Sequence, residues 1–112
     1  FDIGGELSIP NHMKINEKKI SFLEKTLDEM NNELPPLKEF ILPGGSKASS
    51  YCHLARTVCR RVERNLFKLT KTDKVNEASL KYINRLSDVL FVLARFLNKI
   101  NKLDDIYWKK NI

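Results

Sequence analysis

Apolar residues recur at intervals of three and four along most of this chain, which is the spacing of one face of an α-helix. One such stripe begins after Asn16, a suitable helix N-cap, and stops at Pro35–Pro36, which cannot continue a helix. Two longer stripes follow, one from the serine-containing segment 46–50 to about residue 69 and one over roughly residues 77–102, and residues 1–9 read as the end of a shorter helix. The first stripe consists of Ile20, Leu23, Leu27, Met30 and Leu34.

The fold class follows from this periodicity. No segment shows the two-residue alternation of a strand, so the sequence predicts an all-α, up-and-down helix bundle. The chain has 112 residues, enough for one small core, and we expect residues 1–112 to form a single helical-bundle domain. The last predicted helix carries apolar residues around most of its circumference, so we expect it to be buried on most sides.

Net charge and cysteine content indicate which partners and which cellular compartment to expect. A net charge of +6 favours anionic partners, although scattered surface lysines would give the same value. No apolar run approaches the ~20 residues of a membrane span, and no signal peptide is recognisable. Cys52 and Cys59 are separated by about 10.5 Å of helical rise, too far for a disulfide, so packed or free thiols in a reducing compartment are expected. The cytoplasm, or the mitochondrial matrix in a eukaryote, meets that condition.

Three arginines spaced four residues apart, Arg56, Arg60 and Arg64, are the most distinctive feature. At about 100° per residue they share one side of a helix with His53. Like charges at this spacing repel each other, so the side should face an anion or carboxylates. A salt-bridge ladder, a polyphosphate and a nucleic acid all remain possible. Seven apolar residues fall on the opposite side: Tyr51, Leu54, Ala55, Val58, Val62, Leu66 and Leu69.

Two other groups carry candidate chemistry. Asn84 and Asp88 share a face of the last helix, where polar groups require hydrogen-bond partners. Asp88 is interpreted as part of a structural network that neutralises an arginine, or as a ligand contact, whereas Asn84 suits a ligand better because its amide both donates and accepts. The loop from Phe40 ends in Gly44–Gly45, which would allow close backbone approach to a ligand or simply form a turn between helices. Ser46, Ser49 or Ser50 would cap the helix that follows.

Together these segments resemble the trimeric, five-helix ATP:cob(I)alamin adenosyltransferases, also called corrinoid adenosyltransferases. The resemblance is carried in order by Phe-Ile-Leu-Pro-Gly-Gly at residues 40–45, by the arginine-rich stretch at residues 53–64, and by residues 82–91. Residues 1–7 resemble the family's second-helix region. The resemblance implies that about four of the five helices are present here, and that the family's N-terminal phosphate-binding segment is absent from these residues.

The resemblance also implies an activity and a set of partners. The 5′-deoxyadenosyl group of ATP would pass to the cobalt of cob(I)alamin, with release of triphosphate and formation of adenosylcobalamin. ATP, Mg²⁺ and cobalamin as substrate would be needed, with no metal held by protein side chains alone. The active sites of a homotrimer would lie between subunits, and neither nucleic acid nor membrane is an expected partner. The alternatives are a basic helical nucleic-acid-binding domain and a purely structural oligomerising bundle.

Residue roles follow from the same resemblance. Arg60 and Arg64 would contact the phosphates, and Glu63 would lie near the nucleoside. Phe40 would line the corrinoid side and keep the lower cobalt face free of a ligand, so that Phe40 and Arg60 are the expected catalytic residues. Arg56 would pair with an acidic residue of a neighbouring subunit. The full expected ATP-binding set is Arg60, Arg61, Glu63, Arg64 and Asn84.

Overall fold

The computed structural model describes residues 1–9, 11–37 and 40–108. Over these residues it confirms the predicted all-α class, since the only β-type pairing is one isolated bridge. Four helices are present in the described ranges: α1 (Asp2–Ser8), α2 (Glu17–Asn31), α3 (Lys47–Leu69) and α4 (Glu77–Ile100).

Three of the helices begin at side-chain caps. The side chains of Asn16, Ser46 and Asn76 each accept a hydrogen bond from a backbone N–H of the first turn, at 3.1–3.2 Å. The predicted cap at Asn16 is therefore confirmed, and Ser46 is the cap among the three serine candidates. The second helix ends at Asn31, earlier than Pro35, because a hydrogen-bonded turn over residues 32–34 comes first.

The central helix of the bundle is α4, which packs against both α2 and α3. Its apolar circumference fits this position, because two of its sides face other helices. Ile100 belongs to the predicted apolar face but is 60% exposed, since it is the last residue of the helix. Ile3 of α1 packs on a buried cluster that joins α3 to α4. The buried members of that cluster are Cys59, Leu66 and Ile83.

The orientation of α3 was not evident from its apolar pattern. The side turned towards the rest of the chain is partly polar: it buries Ser49 and His53 together with Cys59 and Leu66. Leu66 was predicted on the opposite side and is instead packed in the core. The opposite side, here called the apolar face of α3, is exposed. Leu54 is 61% exposed and Val58 is 43% exposed. The apolar face of α3 consists of Tyr51, Leu54, Val58 and Val62.

A single carboxylate joins the first helix to the start of α4. Glu6 accepts hydrogen bonds from the backbone N–H groups of Lys14 and Ile15 and from the side chains of Asn76 and Ser79. Burial raises the pKa of Glu6, but these four hydrogen bonds outweigh burial and leave the pKa below its usual value. An open cavity of about 460 Å³ lies beside this junction.

The connection between α2 and α3 ends in a turn that is locked by Asn98. The Asn98 side chain accepts from the Ser46 N–H at 2.9 Å and donates to the Gly44 carbonyl at 3.2 Å, and Ser49 Oγ donates to the same carbonyl at 3.1 Å. Gly45 has φ +100°, and a Cβ atom there would overlap the Asn98 side chain. The glycine is required by both its backbone conformation and its neighbour.

Gly45→Ala should therefore destabilise the fold, by about 1–3 kcal/mol from backbone strain and overlap. Gly4→Ala is the matched control, because nothing lies within 4 Å of a Cβ atom at that helical position. It should stabilise by roughly 0.5–1 kcal/mol. Urea unfolding of both variants measures the two free energies. A Gly45→Ala protein as stable as the unaltered one would contradict the locked turn.

Candidate functional site

The three arginines of α3 differ in their surroundings. Arg56 is half-buried, and its guanidinium carbon lies 5.0 Å from the centre of the Phe91 ring, a cation–π arrangement. Burial first, and then the charge of Arg60, lower the pKa of Arg56, whereas Asp88 raises it. Arg60 and Arg64 are exposed. Over the described ranges, none of the three forms an ion pair with a carboxylate of its own chain.

Glu63 and Asn84 meet across the interface of α3 and α4. The Asn84 Nδ2 group donates to Glu63 Oε2 at 2.8 Å, and Arg85 Nη1 donates to Asn84 Oδ1 at 2.7 Å. Arg85 is also 3.6 Å from a carboxylate oxygen of Glu24 on α2, which extends the network across three helices. The structure thus brings together two residues expected at one site, with exposed arginines on the same helix. Arg85 was not among the predicted site residues, although it lies inside the motif that contains Asn84.

Among the described residues, Asp88 does not form the predicted network with an arginine of α3. Asp88 is exposed, and among the described residues it forms neither a hydrogen bond nor an ion pair with α3. Its carboxylate acts on Arg56 only through space, by raising the pKa of that guanidinium. The direct contact between the two helices runs instead through Glu63 and Asn84, because these two side chains are partly buried and face each other.

Phe40 lies on a segment whose backbone is held while its ring is free. The Leu42 N–H donates to the Ile106 carbonyl at 2.6 Å, and the Trp108 N–H donates to the Phe40 carbonyl at 2.7 Å. The Phe40 residue is 80% exposed. An exposed aromatic ring on a backbone fixed by hydrogen bonds is suited to form one wall of a site completed by other atoms.

Two contacts between α3 and α4 lie at different levels of the bundle. Ser46, at the start of α3, is bound to Asn98 near the end of α4, whereas Glu63 is bound to Asn84 in its first half. About 21 Å of helix axis separates Ser46 from Arg60 at 1.5 Å per residue. Over the described residues, no hydrogen bond or ion pair joins Phe40 to Arg56, Arg60 or Arg64.

The turn at Gly44–Gly45 offers little to an anion. The backbone N–H groups of Ser46 and Ser49 already donate to Asn98 and to the Ser46 hydroxyl. Because these two N–H groups at the start of α3 already have acceptors, they are not available to an anion. We therefore interpret Gly44–Gly45 as a turn between helices.

A second polar group, absent from the predictions, is buried between α3, α4 and the C-terminal residues. Arg95 is 3% exposed, and its Nε atom donates to Asp105 Oδ2 at 2.8 Å. The other Asp105 oxygen and His53 Nε2 are buried without a hydrogen-bond partner. The His53 ring meets Phe91 edge-on, with 6.2 Å between ring centres. No local sequence pattern connects Arg95 with Asp105, which lies ten residues later beyond the end of α4.

The cysteines have the properties of packed thiols. Burial raises the pKa of both, and the Glu63 carboxylate raises that of Cys59 further. The Cys59 thiol donates to the Ile83 carbonyl at 3.4 Å, and both cysteines are free. A raised pKa keeps a thiol protonated at neutral pH and therefore weakly nucleophilic.

Two searches of the described residues bear on other classes of site. They contain no group of three or more histidine, cysteine or acidic side chains arranged to hold a metal ion. No helix among them is long and apolar enough to cross a membrane.

Exposed arginines beside a Glu–Asn pair, on an all-α bundle, define a helical protein suited to binding a phosphorylated ligand. Comparison with known families makes the class specific. The model of the cobalamin adenosyltransferase family matches residues 1–97. The chain belongs to the cobalamin adenosyltransferase family.

Individual relatives agree with this assignment. A cobalamin adenosyltransferase of Cupriavidus metallidurans is 48% identical over 110 residues, covering 98% of this chain and 60% of the relative. A corrinoid adenosyltransferase of Bacillus subtilis is 43% identical over 114 residues, covering 99% of this chain and 59% of the relative. The chain thus spans about three fifths of the length of these relatives.

Solved structures show the same similarity in three dimensions. A variant PduO-type ATP:corrinoid adenosyltransferase from Lactobacillus reuteri, complexed with cobalamin and ATP, superposes with a TM-score of 0.93 at 34% identity. The match covers 98% of this chain and 64% of that one. A second variant of the PduO-type enzyme, complexed with ATP, gives a TM-score of 0.92 at 35% identity, covering 97% and 64% of the two chains.

His53 should make stability depend on pH. Burial and the nearby Arg56 charge lower its pKa below 6.5, and Asp105 only partly offsets them. The unfolded chain then takes up a proton that the folded chain resists. The stabilising contribution is complete above pH 6.5 and is lost as the pH falls through the folded-state pKa.

Urea unfolding between about pH 7 and pH 5 measures this dependence. His53→Gln should flatten the decrease in unfolding free energy towards acid, whatever its effect at neutral pH. His12→Gln, which changes the other histidine, should leave the slope as it is. Equal slopes in all three proteins would show that His53 does not titrate differently on folding.

Proposed function

We propose that the protein carrying this chain is an ATP:cob(I)alamin adenosyltransferase. The observation that supports this most directly is the pair of exposed guanidinium groups, Arg60 and Arg64, beside the Glu63–Asn84 contact in a member of this family. The relatives named above are adenosyltransferases, and the Lactobacillus reuteri enzyme was solved with cobalamin and ATP. The experiment that tests the proposal is ATP-dependent formation of adenosylcobalamin by the full-length protein.

ATP binding is assigned to the arginine side of α3. Arginine presents N–H donors in a planar fork that matches phosphate oxygens, and Arg60 and Arg64 have no carboxylate partner within the described chain. Arg61 supplies a further donor from the adjacent position. Glu63 and Asn84 would hold the nucleoside, exchanging part of their mutual hydrogen bond for contacts with ribose or base.

The proposed chemistry needs no nucleophile from the protein. The Co(I) electron pair attacks the 5′ carbon of ATP, a cobalt–carbon bond forms, and the bond from that carbon to the triphosphate oxygen breaks. Triphosphate leaves with that electron pair, so the negative charge that develops there is what Arg60 and Arg64 stabilise. The protonated thiols of Cys52 and Cys59 fit this scheme, because neither is poised to react.

Mg²⁺ would be held chiefly by the phosphates of ATP. Such an ion usually keeps several waters and binds one or two carboxylates plus substrate oxygens, so it does not need a dedicated protein cage. The lack of a metal-ligating cluster among the described residues is compatible with this arrangement. The ion would share the charge of the departing triphosphate with the arginines.

Phe40 is proposed as the corrinoid-facing wall. An apolar ring beneath the corrin would exclude a lower axial ligand from cobalt, and a cobalt without that ligand is easier to reduce to Co(I). The exposure of Phe40 in the isolated chain, at 80%, supports a role against a bound molecule, because nothing in the described residues covers it.

A homotrimer with active sites between subunits accounts for three features together. The apolar face of α3 is exposed, Arg56 has no carboxylate partner among the described residues of its own chain, and Phe40 makes no described contact with Arg60. Contact between subunits would bury the apolar face of α3 and place a carboxylate of the neighbouring subunit beside Arg56. It would also supply the groups that each active site lacks within one chain. The cytoplasm, or the mitochondrial matrix in a eukaryote, is the proposed location, and neither nucleic acid nor membrane is a proposed partner.

The domain organisation belongs to the same proposal. We propose that residues 1–112 belong to one helical-bundle domain. Since the chain spans about three fifths of its relatives, activity assays require the full-length protein.

Arg60→Ala should reduce turnover without preventing folding, because the side chain is exposed. Loss of one charge-stabilising donor typically costs about 2–4 kcal/mol, or roughly 30- to 1,000-fold in kcat. The assay is anaerobic conversion of cob(I)alamin to light-sensitive adenosylcobalamin with ATP and Mg²⁺. Lys68→Ala, which removes an exposed charge at the end of the same helix, should be neutral. Unaltered turnover in Arg60→Ala would exclude the phosphate role.

Arg56→Ala should weaken assembly more than it weakens ATP binding. Its guanidinium is half-buried against Phe91 and would lose both that stacking and its pairing with a neighbouring subunit. We expect the trimer to dissociate at roughly tenfold higher protein concentration, as an interfacial charge pair commonly contributes 1 kcal/mol or more. Light scattering across a dilution series measures this, with Lys71→Ala as control. A trimer as stable as the unaltered one would remove Arg56 from the interface.

A further inference from the structure

We propose that the buried Arg95–Asp105 ion pair positions Phe40, by fastening residues 103–108 against the segment that carries it. Residues 103–108 are here called the C-terminal strap. The proposal rests on the proposed function, because Phe40 matters to catalysis only if it faces a corrinoid. Arg95 and Asp105 are positioning residues in this account and touch no substrate.

The strap begins at a chain reversal at the end of α4. The N–H of Leu103 donates to the Asn98 carbonyl at 2.8 Å, and the N–H of Lys102 donates to the Lys99 carbonyl at 3.0 Å. Lys102 has φ +57°, so the pattern is a Schellman motif with a lysine in the left-handed position. The reversal ends the helix and directs the strap back towards the connection between α2 and α3.

The ion pair holds the strap at its middle. Arg95 Nε donates to Asp105 Oδ2 at 2.8 Å, and the two side chains are only 3% and 11% exposed. The same guanidinium donates through Nη2 to the Pro35 carbonyl at 2.8 Å. One buried cation therefore fixes both the strap and the beginning of the connection that leads to Phe40. A charge left behind after loss of its buried partner is strongly unfavourable, so the two segments should loosen together.

The strap in turn fixes the backbone of Phe40. Ile41 and Tyr107 form the single antiparallel bridge of the described structure. The Leu42 N–H donates to the Ile106 carbonyl at 2.6 Å, and the Trp108 N–H donates to the Phe40 carbonyl at 2.7 Å. Since the Phe40 ring is largely exposed, its direction is set by this backbone pairing and not by packing around the ring.

Asn98 holds a different part of the connection. Its hydrogen bonds reach Gly44 and Ser46, beyond Pro43, and leave residues 40–42 to the strap. Loss of the ion pair should therefore free Phe40 while the turn before α3 stays locked.

The decisive variant is Asp105→Asn, which keeps the shape and one acceptor oxygen but removes the charge. Asp104→Asn is the matched control, because it makes the same change at the exposed neighbouring position. In the full-length protein, Asp105→Asn should lower kcat/KM for cob(I)alamin by at least about tenfold, since small misplacements of a positioning group have effects of this size. The KM for ATP should stay within about twofold, because Asp105 forms no described hydrogen bond or ion pair with Arg60, Glu63 or Asn84. Equal losses for both substrates, or none, would overturn the proposal.

A double-mutant cycle separates positioning from general stability. If Asp105 acts through Phe40, then Asp105→Asn on a Phe40→Ala background should change corrinoid kcat/KM by less than about twofold. Two fully additive losses would show that Asp105 acts by another route, and would overturn the proposal.

Hydrogen exchange tests the strap without any reaction. The amides of Leu42 and Trp108 should exchange faster in Asp105→Asn than in Asp104→Asn, because their acceptors lie across the bridge. Unchanged exchange at these two amides would overturn the proposal that Asp105 fastens the strap. If the unaltered protein forms no adenosylcobalamin, the proposed function fails and the catalytic role of Phe40 fails with it, whereas exchange still decides whether Asp105 fastens the strap.

A second pair of variants covers the case in which Asp105→Asn does not fold. Trp108→Pro removes the N–H that donates to Phe40, and Trp108→Ala removes the ring but keeps that N–H. The proline variant should show the larger loss of corrinoid kcat/KM and the faster exchange at Leu42. Equal effects of the two substitutions would assign the loss to the ring and overturn the positioning role of the strap.

Discussion

The packing of the polar side of α3 against α4 is the interaction on which the rest of the structure depends. It buries His53 and Cys59, and it brings Glu63 into hydrogen-bonding contact with Asn84. The same rotation of α3 leaves Arg60 at the edge of the interface and the apolar face of α3 outside. A rotation of the helix by half a turn would produce an ordinary apolar core but would separate Glu63 from Asn84.

The last two turns of α4 hold the connection between α2 and α3. Asn98 and Lys99 lie three and four residues after Arg95 and so project from the same side of the helix as Arg95. Their side chains bind carbonyl or amide groups of the connection, from Glu33 to Ser46. Both ends of this connection are thereby held by one helical face, whereas the backbone of residues 40–42 pairs with residues 106–108.

Local sequence signals were sufficient for the helices and insufficient for their rotation. The cap at Asn16 and the end of α3 at Leu69 depend on neighbouring residues, and both were predicted. The exposure of the stripe containing Leu54 was not predicted, because hydrophobicity does not distinguish burial within a chain from burial against another surface. The Arg95–Asp105 pair and the Asn98 contacts join residues that are far apart in the sequence or have no distinctive local pattern, so only the folded chain could reveal them. Of the two alternatives for Asp88, the network with an arginine is not formed by direct contact among the described residues, since a shared helix face does not fix which side chain points across it, and the ligand contact stays a prediction.

The contact between Gly45 and Asn98 also bears on how this turn can change through mutation. Two independent conditions apply at position 45: a left-handed backbone, and the absence of any atom where the Asn98 amide lies. Shortening residue 98 would relieve only the second condition, and it would also remove the acceptor for the Ser46 N–H. A substitution at position 45 therefore has no single compensating change at position 98. Position 45 is therefore confined to glycine, whichever residue occupies position 98.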